Sequence, residues 1–281
     1  MQLDFALPSA EVAPFVSVFY LFRDDSPQFE GIERADVGQI RFMLKGEGMM
    51  SFPGGHEEPS TPIMVNGPGT GASPYRVNGP FHCFGASLRA VGWGSLVGMS
   101  AAERADHVTD GALLFGEEGL ALLERLRGIE SLADMVALVE PFILNHVRHN
   151  PVPDDHRHLC EVVRQWLTQP GPIRVADLFA VLPMSERQVT RLVNRYYGGP
   201  PKFLERKFRT LRAATEIATG RPPSEVAVHF YDQSHMINEI RHFTGHTPGS
   251  LGAQMDPVLA ITLREERFGE LAPLVFPNGS D

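Results

Sequence analysis

Within residues 185–198, SERQVTRLVNRYYG, the side chains of Arg187, Thr190, Arg191 and Asn194 recur at i, i+3, i+4 and i+7. An α-helix would bring all four onto one face. Arginine can donate two parallel bonds to guanine O6 and N7, asparagine can pair with adenine, and threonine can touch a thymine methyl. The chemistry of this face is therefore hydrogen bonding to base edges. Val189, Leu192, Val193 and Tyr196 fall opposite and form an apolar face. A second array lies in FYDQSHMINEIRHFTGHTP, residues 230–248. Here Met236, Ile240 and Phe243 mark a buried face, while Gln233, Ser234, His235 and Asn238 point away from it, with Ile237 at the margin. Asp232 reads as the N-cap, because a carboxylate facing phosphate would be repelled.

The elements that must position these arrays are punctuated clearly. Ser185 and Gln188 have the spacing of a capping box, and Gly198 stops the first helix. Pro200 and Pro201 open KFLERKFRTLRAATEIATG, where Leu204, Phe208, Leu211, Thr215 and Ala218 form an apolar seam. The pattern helix, tight turn, helix occurs at about 173–197 and again at 224–244, joined by this long helix. A helix-turn-helix presents its second helix to the major groove. Arg195, Lys202, Arg206, Lys207, Arg209 and Arg241 are the candidates for phosphate contact, which positions a protein without specifying sequence. Charge supports the assignment: the chain carries −9, yet residues 156–250 hold 13 Lys and Arg against 8 Asp and Glu, a net +5 that leaves −14 elsewhere.

SERQVTRLVNRYYGGPPKFLERKFRTLRAA and FYDQSHMINEIRHFTGHTP together resemble the DNA-binding domain of AraC/XylS-type transcription regulators. The resemblance covers residues 156–251, and D-Q-S-H with the closing G-x-T-P is its most specific part. It implies a sequence-specific regulator bound to double-stranded promoter DNA. RNA polymerase, a small-molecule effector and a second copy of the chain are the further partners it suggests. It also implies that Arg187, Thr190 and Arg191 reach base edges. Four positions depart from the family pattern. Asn238 stands where many relatives have Arg, Ile237 replaces a small residue, and Pro183 and His229 occupy turns that usually hold Gly. The second motif is accordingly expected to bind more weakly than the first.

Residues 10–89 alternate short apolar runs with Gly and Pro, and VSVFYLF (16–22), GQIRFMLKG (38–46), TPIMVNG (61–67), PYRVNG (74–79) and FHCFGASLR (81–89) read as strands. VNGP recurs at 65 and 77 and reads as two similar turns. Residues 117–149 read as two helices, the second interrupted at Pro141, that either form a dimer seam or pack on the strands. The expected fold is α+β: an antiparallel β-rich domain of barrel or cupin-like type, ending in helices (1–150), then an all-α domain with two helix-turn-helix units (156–251). Residues 252–281 form an extension with a helical pattern and no derived role. Tyr75, Arg76, Phe81, Phe84, Arg89 and Trp93 are candidates for lining a ligand pocket in the β-rich domain. That domain is alternatively a protein-interaction or degenerate enzyme module, with DNA read by the first motif only.

Several constellations are expected to carry no chemistry. Cys83 and Cys160 lie far apart without CxxC spacing, which fits a reducing compartment. Cys83 reads as a small buried hydrophobe rather than a reactive thiol. His149, His156 and His158 near Cys160, and His229, His235, His242 and His246, lack zinc-site spacing. The barrel region offers only His56 and His82, short of a cupin metal set, so no metal and no cofactor are expected. No phosphate loop or nucleophilic triad is present, and an enzyme is not expected. The first residues lack the basic start of a secretory signal and no apolar run is long enough to span a bilayer, so a cytoplasmic location without a membrane partner is expected.

Overall fold

The computed structural model describes residues 1–251 and Leu259. Its architecture is α+β. Strands β1 (Gln2–Ala6), β2 (Val16–Asp24), β3 (Gln28–Glu33), β4 (Gln39–Ser51), β5 (Glu57–Pro59), β6 (Ile63–Asn66), β7 (Ser73–Leu88) and β8 (Val108–Asp110) form one antiparallel sheet. The pairing runs β1-β2-β7-β4-β6-β8, with β3 beside β7 and β5 beside β4. Two long strands make the frame. One half of β7 pairs with β2 and the other half with β3, while β4 pairs with β6 and then β5. Among the described residues the path has two ends, β1 and β8, so the sheet is open.

The two segments 74–79 and 81–89 are parts of the single strand β7, which continues through a cis Gly79–Pro80 peptide. The second VNGP is therefore inside a strand and is not a turn; the first ends β6. The nearly continuous apolar run of β2 is explained by burial on both faces. Phe19 and Leu21 enter the main core, where Phe19 stacks on Phe84 with ring centroids 5.8 Å apart. Val18 and Tyr20 turn to the opposite face.

The main core is closed by α1 (Ala90–Leu96), α2 (Ala112–Arg127) and α3 (Leu132–His149). Helix α3 runs through Pro141 without a break, because Met135 and Val139 before it and Phe142, Ile143 and Val147 after it are anchored in the same core. The pair α2 and α3 thus packs on the sheet. Residues 150–153 lead into α4 (Asp154–Thr168), α5 (Val175–Val181), α6 (Glu186–Tyr197), α7 (Pro201–Ala218), α8 (Pro223–Val226) and α9 (Gln233–Thr244). Among the described residues no helix is long and apolar enough to cross a membrane. The helical pattern noted beyond residue 251 lies outside the described residues, Leu259 excepted.

Candidate nucleic-acid interface

Helices α5 and α6 form the first helix-turn-helix. Ser185 closes a full capping box with Gln188, its hydroxyl accepting from the Gln188 N–H while the Gln188 side chain accepts from the Ser185 N–H. Gly198 ends α6 in the left-handed conformation, φ 83°. Val189, Leu192, Val193 and Tyr196 are buried, which turns Arg187 and Arg191 fully outward and leaves Thr190 and Asn194 half-buried beside them. The Asn194 amide donates to the Thr190 carbonyl at 2.9 Å, so its outward reach is shortened. Leu182 leaves α5 with extended backbone, and no residue of the turn, Pro183 included, is left-handed.

The second unit is built from α8, a 3-10 turn at Ala227–His229, and α9. This turn is reshaped relative to a glycine turn: His229 ends the 3-10 segment without positive φ, and Phe230 is extended at φ −122°. Asp232 caps α9 as its position suggests, accepting from the His235 N–H at 2.7 Å. Gly245 ends the helix at φ 77°. Met236, Ile240 and Phe243 are buried; Gln233, Ser234, Asn238 and Arg241 are exposed; His235 and Ile237 are half-buried.

The phosphate candidates separate into three kinds. Lys202 and Arg241 are exposed, although Lys202 is also paired with Glu205. Arg206 and Arg209 are partly engaged within the helical part. Arg206 pairs with Glu239 at 2.5 Å and lies over the Phe243 ring, and Arg209 lies over Phe230. Lys207 does not fit the role at all. It is 2% exposed, and its Nζ donates to the main-chain carbonyls of Asp36 at 2.7 Å and Gly69 at 2.9 Å. Sequence periodicity placed it on the outer side of the α7 seam; the β-rich part covers that side.

The two parts of the chain are thus docked, and both recognition-type helices are held at their C-terminal ends. In α6 the Arg195 carbonyl accepts from Ala101 N–H at 2.7 Å and the Arg195 side chain reaches the Gly98 carbonyl. Arg195 is therefore exposed yet tied to the β-rich part. In α9 the carbonyls of His242 and Phe243 accept from Ala72 and Ala35, each at 2.8 Å. The N-terminal halves, carrying Arg187 and Arg191 in one helix and Gln233 and Ser234 in the other, stay exposed. Those are the ends that a helix-turn-helix inserts into the groove.

The sheet bears a partly open cavity of about 110 Å³ whose wall includes Tyr20, Phe22, Phe29, Met43, Met50 and Tyr75. Of the six pocket candidates, Tyr75 and Phe81 line it. Phe84 and Trp93 are instead in the main core, Arg89 bonds to the Ala13 carbonyl, and Arg76 points outward to pair with Glu57. Alternation in β7 separates Tyr75 and Phe81 from Arg76 and Phe84, whereas Arg89 and Trp93 follow the strand, at the N-cap and inside α1. The sequence reading missed the polar end of the cavity. There Arg41 pairs with Glu33 at 2.5 Å and donates to the Tyr20 hydroxyl at 2.8 Å, which in turn donates to Gln39 at 2.5 Å. Burial raises the Tyr20 pKa above the ordinary phenol value against the pull of Arg41, and it pushes the Cys83 thiol in the same wall up to about 12. The only available signal was an Arg and a Glu set among apolar strand residues.

No protein-family model matches the chain, and no curated protein matches it. Among solved structures it is similar to apo ToxT from Vibrio cholerae, with TM-score 0.48 and 11% identity, over 89% of this chain and 100% of that one. It is similar to ToxT from the same organism bound to an unsaturated fatty acid, with TM-score 0.45 and 11% identity, over 85% and 96%. The AraC-like transcriptional activator CuxR gives TM-score 0.33 and 14% identity, over 76% and 87%.

Proposed function

We propose that this chain is a sequence-specific DNA-binding transcription regulator of AraC/XylS type. One observation carries the reading: two capped helices, α6 and α9, each expose a polar N-terminal half while their buried faces and C-terminal ends are fixed by the rest of the molecule. Arg187, Thr190 and Arg191 would read bases from the first helix, and Gln233, Ser234, His235 and Asn238 from the second. Lys202 and Arg241 remain the phosphate contacts best placed, with Arg206 and Arg209 available once their internal pairs open. The β-rich part, with its negative charge, does not meet DNA and lowers non-specific binding.

In this reading the cavity is an effector site. Its volume suits a mainly apolar molecule of about ring size, since an apolar void of about 150 Å³ accepts benzene. Residues 32–36 connect it to the reader: Ile32, Glu33, Arg34 and Asp36 line the cavity, Ala35 bonds to Phe243, and the Asp36 carbonyl holds Lys207. A ligand pressing on this strip changes how α7 and α9 are held. The test is selection of fragments from sheared genomic DNA by the full-length protein at moderate salt. Enrichment of promoters sharing two short half-sites about one helical turn, roughly 34 Å, apart is expected. Retention of DNA without sequence preference would overturn the proposal.

A further inference from the structure

Three donor side chains that the DNA-binding reading does not use meet at the outer edge of the sheet. His56 stands at the end of the hairpin between β4 and β5, Glu58 is two residues further in β5, and His107 immediately precedes β8. The carboxylate is fixed between the rings. Its Oε2 accepts from the Val108 N–H at 2.6 Å, which leaves Oε1 2.6 Å from His107 Nδ1 and 3.8 Å from His56 Nε2. The two imidazoles lie with centroids 4.8 Å apart, and the His56 ring is braced on Phe52 at 5.3 Å. One ligand atom from each residue lies within 4.8 Å of the other two, the one such group among the described residues. All three side chains are a quarter to two-fifths exposed, so an ion has an entry path and water can complete its shell.

We propose that His56, Glu58 and His107 bind one divalent transition-metal ion, of which Zn²⁺ is the best match. Two imidazoles and one carboxylate are the donors that such ions take, whereas Ca²⁺ and Mg²⁺ are held by oxygen alone. Ligand distances of about 2.0–2.2 Å place tetrahedral donors roughly 3.3 Å apart. The group reaches that size when the His56 ring swings toward Glu58 from 3.8 Å and the His107 ring draws back from 2.6 Å, about a carboxylate whose orientation the Val108 N–H already fixes. On binding, His107 Nδ1 gives up its hydrogen bond to Glu58 and carries its proton on Nε2, and His56 Nε2 leaves the Asp106 carbonyl it now faces at 2.9 Å. The site lies outside the cavity and outside the recognition helices. Only the pairing of β6 with β8 brings His107 beside His56 and Glu58.

The test uses full-length protein without an affinity tag, stripped by chelator, titrated with Zn²⁺ by calorimetry and with Co²⁺ by visible absorption. One ion per chain is expected, with a Co²⁺ band of low-symmetry nitrogen and oxygen coordination. His56→Ala, His107→Ala and Glu58→Gln should each weaken binding at least about tenfold, the loss that disturbing even supporting groups of a metal site produces. His82→Ala, at the Asp25 pair on another strand, should leave it unchanged. Circular dichroism of each stripped variant checks folding, and His56→Ala, on an exposed hairpin, decides if His107→Ala does not fold. Absence of stoichiometric binding, or binding retained in both histidine variants, would overturn the site.

Discussion

The ammonium of Lys207, near the middle of the helix that joins the two helix-turn-helix units, donates to the main-chain carbonyl of Asp36 in the β-rich part, 2.7 Å away. It donates a second bond to the Gly69 carbonyl at 2.9 Å. A buried charge held in this way links the reader to the strip that lines the cavity. Lys207→Met removes the donor from a buried carbonyl and a part-buried one, and a buried polar group left unsatisfied costs about 1–3 kcal/mol. A loss of about 2–4 kcal/mol in urea-unfolding free energy is expected. A phosphate-contacting lysine would behave differently, leaving stability unchanged and lowering the salt slope of DNA binding by about one.

Arg191 is exposed on α6, opposite the buried face of Val189, Leu192, Val193 and Tyr196. Arg191→Ala is expected to cost about 1–3 kcal/mol on the cognate site and relax base choice at one position. The thermal midpoint should not move. Binding assays on cognate and scrambled duplexes check this, and equal weakening on both would remove Arg191 from the reading residues.

Asp232 satisfies the first turn of α9 through the His235 N–H. Asp232→Ala should cost about 1 kcal/mol of stability. It should also weaken recognition of the half-site read by α9 more than that read by α6. Footprinting of both half-sites with this variant separates the two effects.

Arg41 and Glu33 neutralise each other at the polar end of the cavity, each less than a fifth exposed. Arg41→Met leaves the carboxylate without its partner in a poorly solvated place, an event that costs about 3–5 kcal/mol in full burial. Adding Glu33→Gln should recover part of that loss. Chemical denaturation of the single and double variants measures the recovery, and full additivity would mean that the pair is not coupled.

Burial raises the Cys83 pKa to about 12, so the thiol stays protonated from neutral to mildly alkaline pH and is not nucleophilic. Cys160 is also buried. Both should resist a disulfide reagent in the folded protein and react rapidly once it is unfolded in guanidinium. Fast labelling of Cys83 in the native state would contradict its burial.

What the sequence determined by itself is local. Caps, stops and one buried face per helix were legible at Ser185, Asp232 and Gly198, because each follows from hydrogen bonds and periodicity within a few residues. The exposed faces of α6 and α9 followed from the same periodicity. The strand runs of β2, β4 and β6 were legible for a similar reason, although PYRVNG and FHCFGASLR proved to be one strand through Pro80. Tertiary structure decided everything that depends on a partner far along the chain. Lys207 and Arg206 differ by one residue in a basic run, yet one is buried in the β-rich part and the other pairs with Glu239. The sequence reading placed Tyr75 and Arg76 together at the pocket, yet Tyr75 lines the cavity and Arg76 pairs outside it with Glu57. The pairing of β6 with β8 likewise brought His107 across about fifty residues to His56 and Glu58. Sequence periodicity records which side of an element is apolar; the polar atom that meets the other side is chosen only when the elements pack.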